Sequence, residues 1–150
     1  VRGLNRLHQF DKVEIVRIEN PSNSYKVLDE MVEHVKNLLI MLELPFRIVR
    51  LCGGDLGFTS ALTYDFEVYA MGQNKWLEVS SVSNFESFQS NRLNLKIDFG
   101  DKKRYCAHTL NGSSLALPRI VACILENFQE KDHIKIPEIL HKYTGFKQIK

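Results

Sequence analysis

No stretch of this 150-residue sequence is long and apolar enough to span a bilayer. The longest apolar run, around LLIMLELPF, is interrupted by Glu43 and Pro45, far short of the roughly 20 residues a spanning helix needs. VRGLNRLHQF lacks the charged and then apolar order of a signal peptide, so neither a membrane nor an export role is expected. Cysteine is equally sparse. Cys52, Cys106 and Cys123 are odd in number, far apart and form no CxxC pair, which argues against a disulfide framework or a zinc site of ordinary spacing. They read as reduced, semi-buried thiols of a cytoplasmic protein. Charge of one sign is scarce as well: a formal net charge of +2 is too mild to announce nucleic acid through bulk electrostatics. Repeats, low-complexity tracts and linkers are missing, and the five histidines are dispersed without a nearby Ser and acid, so nucleophilic catalysis is not indicated. The first residue is not Met and a strand pattern begins almost at once, which suggests a chain cut from something longer.

What is there suits one globular domain, or part of a larger one, since 44% of residues are hydrophobic and 25% charged. After NPSNSY, which supplies turn and cap residues, Lys26 to Leu44 places Leu28, Met31, Val32, Val35, Leu38, Leu39 and Leu42 at offsets of three and four. That spacing predicts an amphipathic helix of about five turns, stopped by Pro45. FRIVRLC is β-like, and GGDLGFTS is a loop whose glycines are turn chemistry before they are a phosphate cradle. TYDFEVYA and KWLEVSSVS, joined by MGQN, predict an antiparallel hairpin. On its first strand Asp65, Glu67 and Tyr69 oppose Tyr64, Phe66 and Val68. On its second, Glu78 and Ser80 share a face with Trp76 while Ser81 has the other parity, so Glu78 and Ser81 act together only across a bulge or a strand end. FESFQSNRLN has weak helical spacing, and LKIDFGDKKRYCAHTL reads as a hairpin around Gly100 and Asp101. The last long element is expected to begin at NGSS, capped by Ser113 or Ser114. It continues through LALPRIVACILENF with Pro118 in the first turn and apolar residues around most of its circumference, which predicts burial. KIPEILHKY offers a short terminal helix.

Three groups of residues carry candidate chemistry. RLHQFDKVE reads as a strand with Arg6, His8, Phe10, Lys12 and Glu14 on one face, a row of cation, aromatic and anion roughly 26 Å long. By itself that alternation is what the wet outer face of an antiparallel sheet looks like. Arg119 lies inside an almost wholly apolar helix, and a buried guanidinium is costly unless paired. A carboxylate such as Asp65, Glu67 or Glu78 would serve, and so would a phosphate at the helix N-terminus. Glu78 with Ser80 and Ser81 offers oxygen ligands of the kind magnesium takes beside substrate phosphates, and Asp65 with Glu67 is the obvious carboxylate pair for acid–base chemistry. The residues alone leave these choices open.

Taken together, four segments resemble the seryl-tRNA synthetases, which are class II aminoacyl-tRNA synthetases. GLNRLHQFDKVE looks like the second half of their motif 2, LEVSSVSNFESFQSNR like the strand and segment after it, and TLNGSSLALPRIVACILEN like motif 3. LCGGDLGFTSALTYDFEVY matches the family's Gly-Asp-x-Gly-Phe and Thr-Tyr-Asp-x-Glu pattern. The order is right, and the likeness runs over nearly the whole chain.

The resemblance implies ATP bent over an antiparallel sheet, with the serine carboxylate attacking the α-phosphate to give seryl-adenylate and pyrophosphate before transfer to tRNA(Ser). It implies Arg6 on the ATP phosphates, Phe10 stacked on adenine and Glu14 receiving the serine ammonium. Glu78 and Ser81 would bind ATP and its Mg2+, with Val79 and Ser80 lining the same strand. Ser113, with neighbouring Asn111, would shape the serine pocket, and Arg119 would grip the γ-phosphate. It also implies a cytoplasmic homodimer in the full-length enzyme. Residues 1–150 would be the C-terminal portion of the catalytic core, without motif 1, the serine-binding loop before motif 2, or the N-terminal helical arm that grips tRNA. Half the phosphate clamp would then lie elsewhere, and this chain alone is expected to be nearly inactive. The expected fold is α+β: an antiparallel sheet of five or six strands with the motif 3 helix packed on it and the Lys26 to Leu44 helix outside. Two other readings stay in view, a synthetase-like binding module without catalysis and a paralogue that loads a small amino acid onto a carrier protein.

Overall fold

The computed structural model describes residues 3–98, 100 and 103–150. Strand β1 (Lys12–Glu19) leads to helix α1 (Ser24–Met41), then β2 (Phe46–Arg50), β3 (Leu62–Ala70) and β4 (Lys75–Asn84). A short helix α2 (Phe88–Leu93) and the strands β5 (Lys96–Asp98) and β6 (Arg104–Cys106) precede β7 (His108–Ala116) and helix α3 (Leu117–Asn127). The chain ends in β8 (Ile134–Lys135), a 3-10 turn at Glu138–Leu140, the single turn α4 (His141–Thr144) and β9 (Gln148–Ile149). The described residues form one five-stranded antiparallel sheet in the order β1-β7-β4-β3-β2, with β5-β6 and β8-β9 as separate two-stranded ribbons. An α+β sheet flanked by helices was expected, and it is found. Asp101 of the expected hairpin tip lies outside the described residues.

Helix α1 forms because Val27, Leu28, Met31, Val35 and Leu39 recur at helical spacing, and all are buried. It does not lie outside the sheet, as expected, but shares one core with α3 and with Phe66, Val68, Val79, Val82 and Leu110. Ser24 fixes its start: the hydroxyl lies 2.8 Å from His108 Nδ1 and accepts from Asn84 Nδ2 at 3.1 Å. The helix stops three residues before the expected Leu44. Glu43 turns left-handed at φ 55°, its N–H donates to the Ile40 carbonyl, and the Leu44 N–H reaches back to Leu39, a Schellman ending that buries Leu44.

Three further sequence expectations are corrected. Arg6 to Asp11 is not strand: a 3-10 turn at Gly3–Asn5 gives way to exposed irregular chain, and pairing begins only at Lys12. Exposed coil and a half-wet strand alternate alike, so parity could not tell them apart. NGSS does not open the last helix either; it lies in β7, the N-cap of α3 is Ala116 without a side-chain cap bond, and Leu117 and Val121 are exposed. Cys52 is exposed rather than semi-buried, whereas burial, with Glu126 nearby, pushes the Cys123 thiol up to about 12.

Helices α1 and α3 cover the same side of the sheet. Register then assigns the other side: Glu14 pairs with Ser113, Val16 with Asn111, Asn111 with Ser83, Ser83 with Thr63, Ser81 with Asp65 and Glu78 with Glu67. Partners in register project to one face, so these residues line a polar floor, bounded at one end by α2, where Thr109 donates to Gln89 at 2.7 Å. Gly112, on the core side, is squeezed between Ile15 and Val82; a Cβ there would sit 2.8 Å from the Val82 methyl.

Candidate functional site

The polar floor depends on one irregularity in β4. Phe66 pairs with Ser80 but Glu67 pairs with Glu78, so Val79 is the extra residue of a β-bulge. That bulge brings Glu78 and Ser81 to the same face despite their parity, as the sequence required. It also turns Val79 and Ser80 away from it. Val79 is fully buried, and the buried Ser80 hydroxyl donates to the Ser113 carbonyl at 2.5 Å. Their side chains are therefore core and tie β4 to β7, and only their backbone borders the floor.

Arg119 leaves the first turn of α3 toward this face. It is not sealed in apolar surroundings, as expected, because its side chain stays 25% exposed and two backbone carbonyls hold it. Its Nη1 donates to the Glu78 carbonyl at 2.6 Å and its Nε to the Asn5 carbonyl at 3.4 Å. The Glu78 carboxylate is 3.7 Å away. Carbonyls aim a guanidinium without neutralising it, and the ion pair with the half-exposed Glu78 carboxylate offsets its charge only in part. The positive charge is left facing a cavity of about 220 Å³ lined by Arg6, Phe10, Pro118 and Arg119. An adjoining cavity shares Asn5, Arg6 and Arg119 and reaches Lys75, Trp76 and Glu78. Two arginines and an exposed phenylalanine ring thus meet at one edge of the floor, a combination suited to an anion attached to an aromatic base.

Glu14 and Ser113 face each other across β1 and β7. Lys12 Nζ is 3.0 Å from the Glu14 carboxylate, so an ammonium is already this carboxylate's partner and an incoming one would compete with it. Asn111 lies two residues along the same floor. Farther in, Asp65, Glu67 and Glu78 gather negative charge that is only partly offset, Glu67 by Arg47 at 2.5 Å. Burial raises the Asp65 pKa, Glu67 and Asp55 add to the rise, and Ser81 opposes it. Half of the Glu78 side chain meets solvent, yet partial burial of its carboxyl, followed by repulsion from Asp65, raises its pKa against the pull of Arg119 and Lys12. Asp65 Oδ1 is buried without a hydrogen-bond partner. A desolvated carboxylate oxygen left unpaired, beside a serine hydroxyl and a second carboxylate, fits a hard divalent cation such as magnesium. Among the described residues no three His, Cys, Asp or Glu side chains converge on one point, so the protein donors fit an ion that takes its remaining ligands from substrate and water rather than a closed cage.

Of the residues expected in the site, Arg6, Phe10 and Arg119 line one cavity, Arg6, Glu78 and Arg119 line the next, and Glu14, Asn111, Ser113, Ser81 and Glu78 share the floor. Val79 and Ser80 do not join them through their side chains. The sequence did not single out Asn5 or Lys75 as site residues. Neither carries a local signal, since Asn5 acts through its carbonyl and Lys75 arrives from the far end of a hairpin.

The family model described as the tRNA synthetase class II core domain (G, H, P, S and T) matches residues 1–128. The serine–tRNA ligase of Salinibacter ruber is 55% identical over 151 residues, covering 99% of this chain and 35% of that protein. The crystal structure of seryl-tRNA synthetase from Pyrococcus horikoshii complexed with ATP superposes with a TM-score of 0.96 at 42% identity, covering 99% of this chain and 34% of that one. The cytoplasmic serine–tRNA ligase of Naegleria fowleri, in complex with AMP, superposes with a TM-score of 0.94 at 32% identity, again covering 99% of this chain and 36% of that one. The chain spans about a third of the length of these relatives.

Proposed function

We propose a function from one premise: this chain belongs to the class II tRNA synthetase core domain family that covers G, H, P, S and T. In the whole protein its polar floor binds ATP and L-serine, joins them as seryl-adenylate and passes the seryl group to tRNA(Ser). The serine carboxylate oxygen attacks the α-phosphorus, the bond from that phosphorus to the bridging oxygen breaks, and pyrophosphate leaves with the electron pair. The observation that carries this reading is that Arg6, Phe10 and Arg119 line one cavity at the edge of the face on which Glu14 lies opposite Ser113. A phosphate chain between two guanidiniums, a base against Phe10 and an ammonium at Glu14 would occupy the three in order.

Each residue then has a task. Arg6 and Arg119 hold the phosphates and offset the charge that moves onto the leaving group. Phe10 offers its ring to adenine. Glu14 orients serine by its ammonium, and Ser113 and Asn111 bound the serine side chain. A pocket that hydrogen-bonds the serine hydroxyl disfavours alanine because it leaves polar groups unpaired. Glu78 and Ser81 would hold magnesium, and Asp65 lies opposite Ser81; the ion would supply charge neutralisation at the phosphates. No side chain here needs to act as a nucleophile. The partners proposed for the whole protein are ATP, serine, tRNA(Ser) and a second copy of itself, with the cytoplasm as its place. No helix among the described residues is long and apolar enough to cross a membrane.

Serine-dependent ATP–pyrophosphate exchange by the full-length protein tests the reading. Exchange is expected with serine and not with alanine, and Arg119→Ala should lower it mainly through ATP. No exchange with serine, or equal exchange with other small amino acids, would sink it.

A further inference from the structure

Resting on the proposal that Arg6 and Arg119 bind phosphates, we infer that Glu126 and Gln73 are positioning residues that set the spacing between those two arginines. Arg119 and Glu126 are seven residues apart on α3, two turns, so they project from the same side of the helix. Both are linked to the turn at Gly3–Asn5, Arg119 directly and Glu126 through Gln73. Arg119 Nε donates to the Asn5 carbonyl at 3.4 Å. Glu126 accepts from the Gln73 backbone N–H at 3.1 Å and from its side-chain amide at 2.5 Å. Gln73 Oε1 in turn accepts from the Asn5 side-chain amide at 2.5 Å. Asn5 is therefore gripped twice, and the contacts close a ring that runs from α3 through Asn5 and Gln73 and back to α3.

The ring matters because Asn5 immediately precedes a stretch of irregular chain, whose first residue, Arg6, is tied back only into the same turn, its N–H donating to the Gly3 carbonyl at 3.1 Å. Arg6 to Asp11 has no regular structure and is exposed, so the place of Arg6 depends on the anchor just before it and on β1, which begins at Lys12. The turn lies against α3, but loosely. The space between Leu4, Asn5, Gln73, Ala122, Leu125 and Glu126 is an open cavity of about 310 Å³, and Leu4 is itself exposed. Hydrogen bonds fix what that loose contact leaves free. The hairpin tip can reach Glu126 because residue 72 is glycine, where a Cβ would come within 3.2 Å of the Glu126 carboxyl. Neither Gln73 nor Glu126 lines the cavity that holds Arg6, Phe10 and Arg119, so each acts through Asn5.

The test uses Gln73→Met and Glu126→Ala in the full-length protein, with KM for ATP, KM for serine and kcat from pyrophosphate exchange, and ATP affinity from calorimetry. Misplaced binding groups typically cost up to about a hundredfold, so each variant should raise KM for ATP roughly ten- to hundredfold and leave KM for serine within about twofold. The double variant should be no worse than the weaker single one, because both break the same relay. Glu126→Gln should restore ATP use, since the amides of Gln73 and Asn5 can turn over and keep every link. A lower Tm with KM for ATP unchanged, or equal rises in both KM values, would overturn the inference and leave a merely structural contact. If the wild-type protein exchanges no pyrophosphate with serine, the functional reading fails, and calorimetry still decides this one: weakened ATP binding by Gln73→Met supports it and unchanged binding refutes it.

Discussion

Gly112→Ala offers the sharpest test of how the floor is built. Gly112 sits between Asn111 and Ser113 in β7, on the core side of the sheet, with Ile15 and Val82 as neighbours across the two ladders. Its φ is not in the left-handed region, so the backbone alone would accept alanine; the obstacle is Val82. An added Cβ would lie 2.8 Å from Val82 Cγ2 and 3.1 Å from Cβ and Cγ1, and Val82 is fully buried with no room to retreat. Overpacking of this kind costs about 1–3 kcal/mol, reduced by the smaller chain entropy that alanine loses on folding, about 0.4–1 kcal/mol. Val82→Ala alone removes two methyl groups from the core and should cost on the order of 2 kcal/mol. The double variant removes the atom that makes the closest clash, so its loss should fall short of additivity by about 1 kcal/mol or more. Amide hydrogen exchange of β4 and β7 in the full-length protein reads these local stabilities separately. Unchanged protection in Gly112→Ala, or losses that simply add in the double variant, would mean that β7 approaches β4 less closely than these distances require.

Other expectations concern the site and its supports. Glu14→Ala should raise KM for serine at least about tenfold, as loss of a charge-assisted hydrogen bond does, and leave ATP largely untouched; equal losses for both ligands would remove Glu14 from the ammonium role. Asp65 and Glu78 hold protons more tightly in the folded chain than in the unfolded one. Their contribution to stability is therefore complete below the ordinary carboxylate value, about pH 4, and is lost as pH rises through their raised values. Asp65→Asn should flatten that part of the pH–stability curve in urea titrations without added divalent cation, and parallel curves for variant and wild type would contradict it. Glu43→Gly should raise Tm, because a left-handed L-residue costs roughly 1–2 kcal/mol and glycine's own entropy returns only part of it. A lower Tm would show that the Glu43 side chain has a stabilising contact outweighing that strain.

How much of this was legible in the sequence differs from element to element. Helix α1 was plain because its apolar residues keep helical spacing over four turns, and the β3–β4 hairpin because MGQN interrupts two strand-like runs. The bulge at Val79 was legible in a stronger sense. Period two is strict, so Glu78 and Ser81 could share a face only if one residue dropped out of register. The same strictness misled at Arg6 to Asp11, where exposed coil happens to alternate. At NGSS, serines before a proline look like a helix cap, but here Ser113 pairs with Glu14 and belongs to the floor of a strand. The roles of Arg6, Phe10 and Glu14 came from resemblance and not from pattern. The relay through Asn5, Gln73 and Glu126 had no signal at all, since its links join residues 68 and 53 positions apart.

The bulge in β4 also gives the strand one residue of slack. Leu77 points inward and Glu78 outward before Val79, and Ser81 points outward and Val82 inward after it. The pairs Glu67–Glu78 and Phe66–Ser80 stand on either side of Val79, so a chain without Val79 would alternate plainly, Glu78 outward, Ser80 inward and Ser81 outward, with every partner across β3 kept. Such a deletion would cost the packing of one fully buried side chain and the local bend, not the floor. One residue added beyond Ser81 has no such remedy, because every side chain after it would turn to the opposite side of the sheet. The number of residues in this strand is therefore tolerant in one direction and strict in the other.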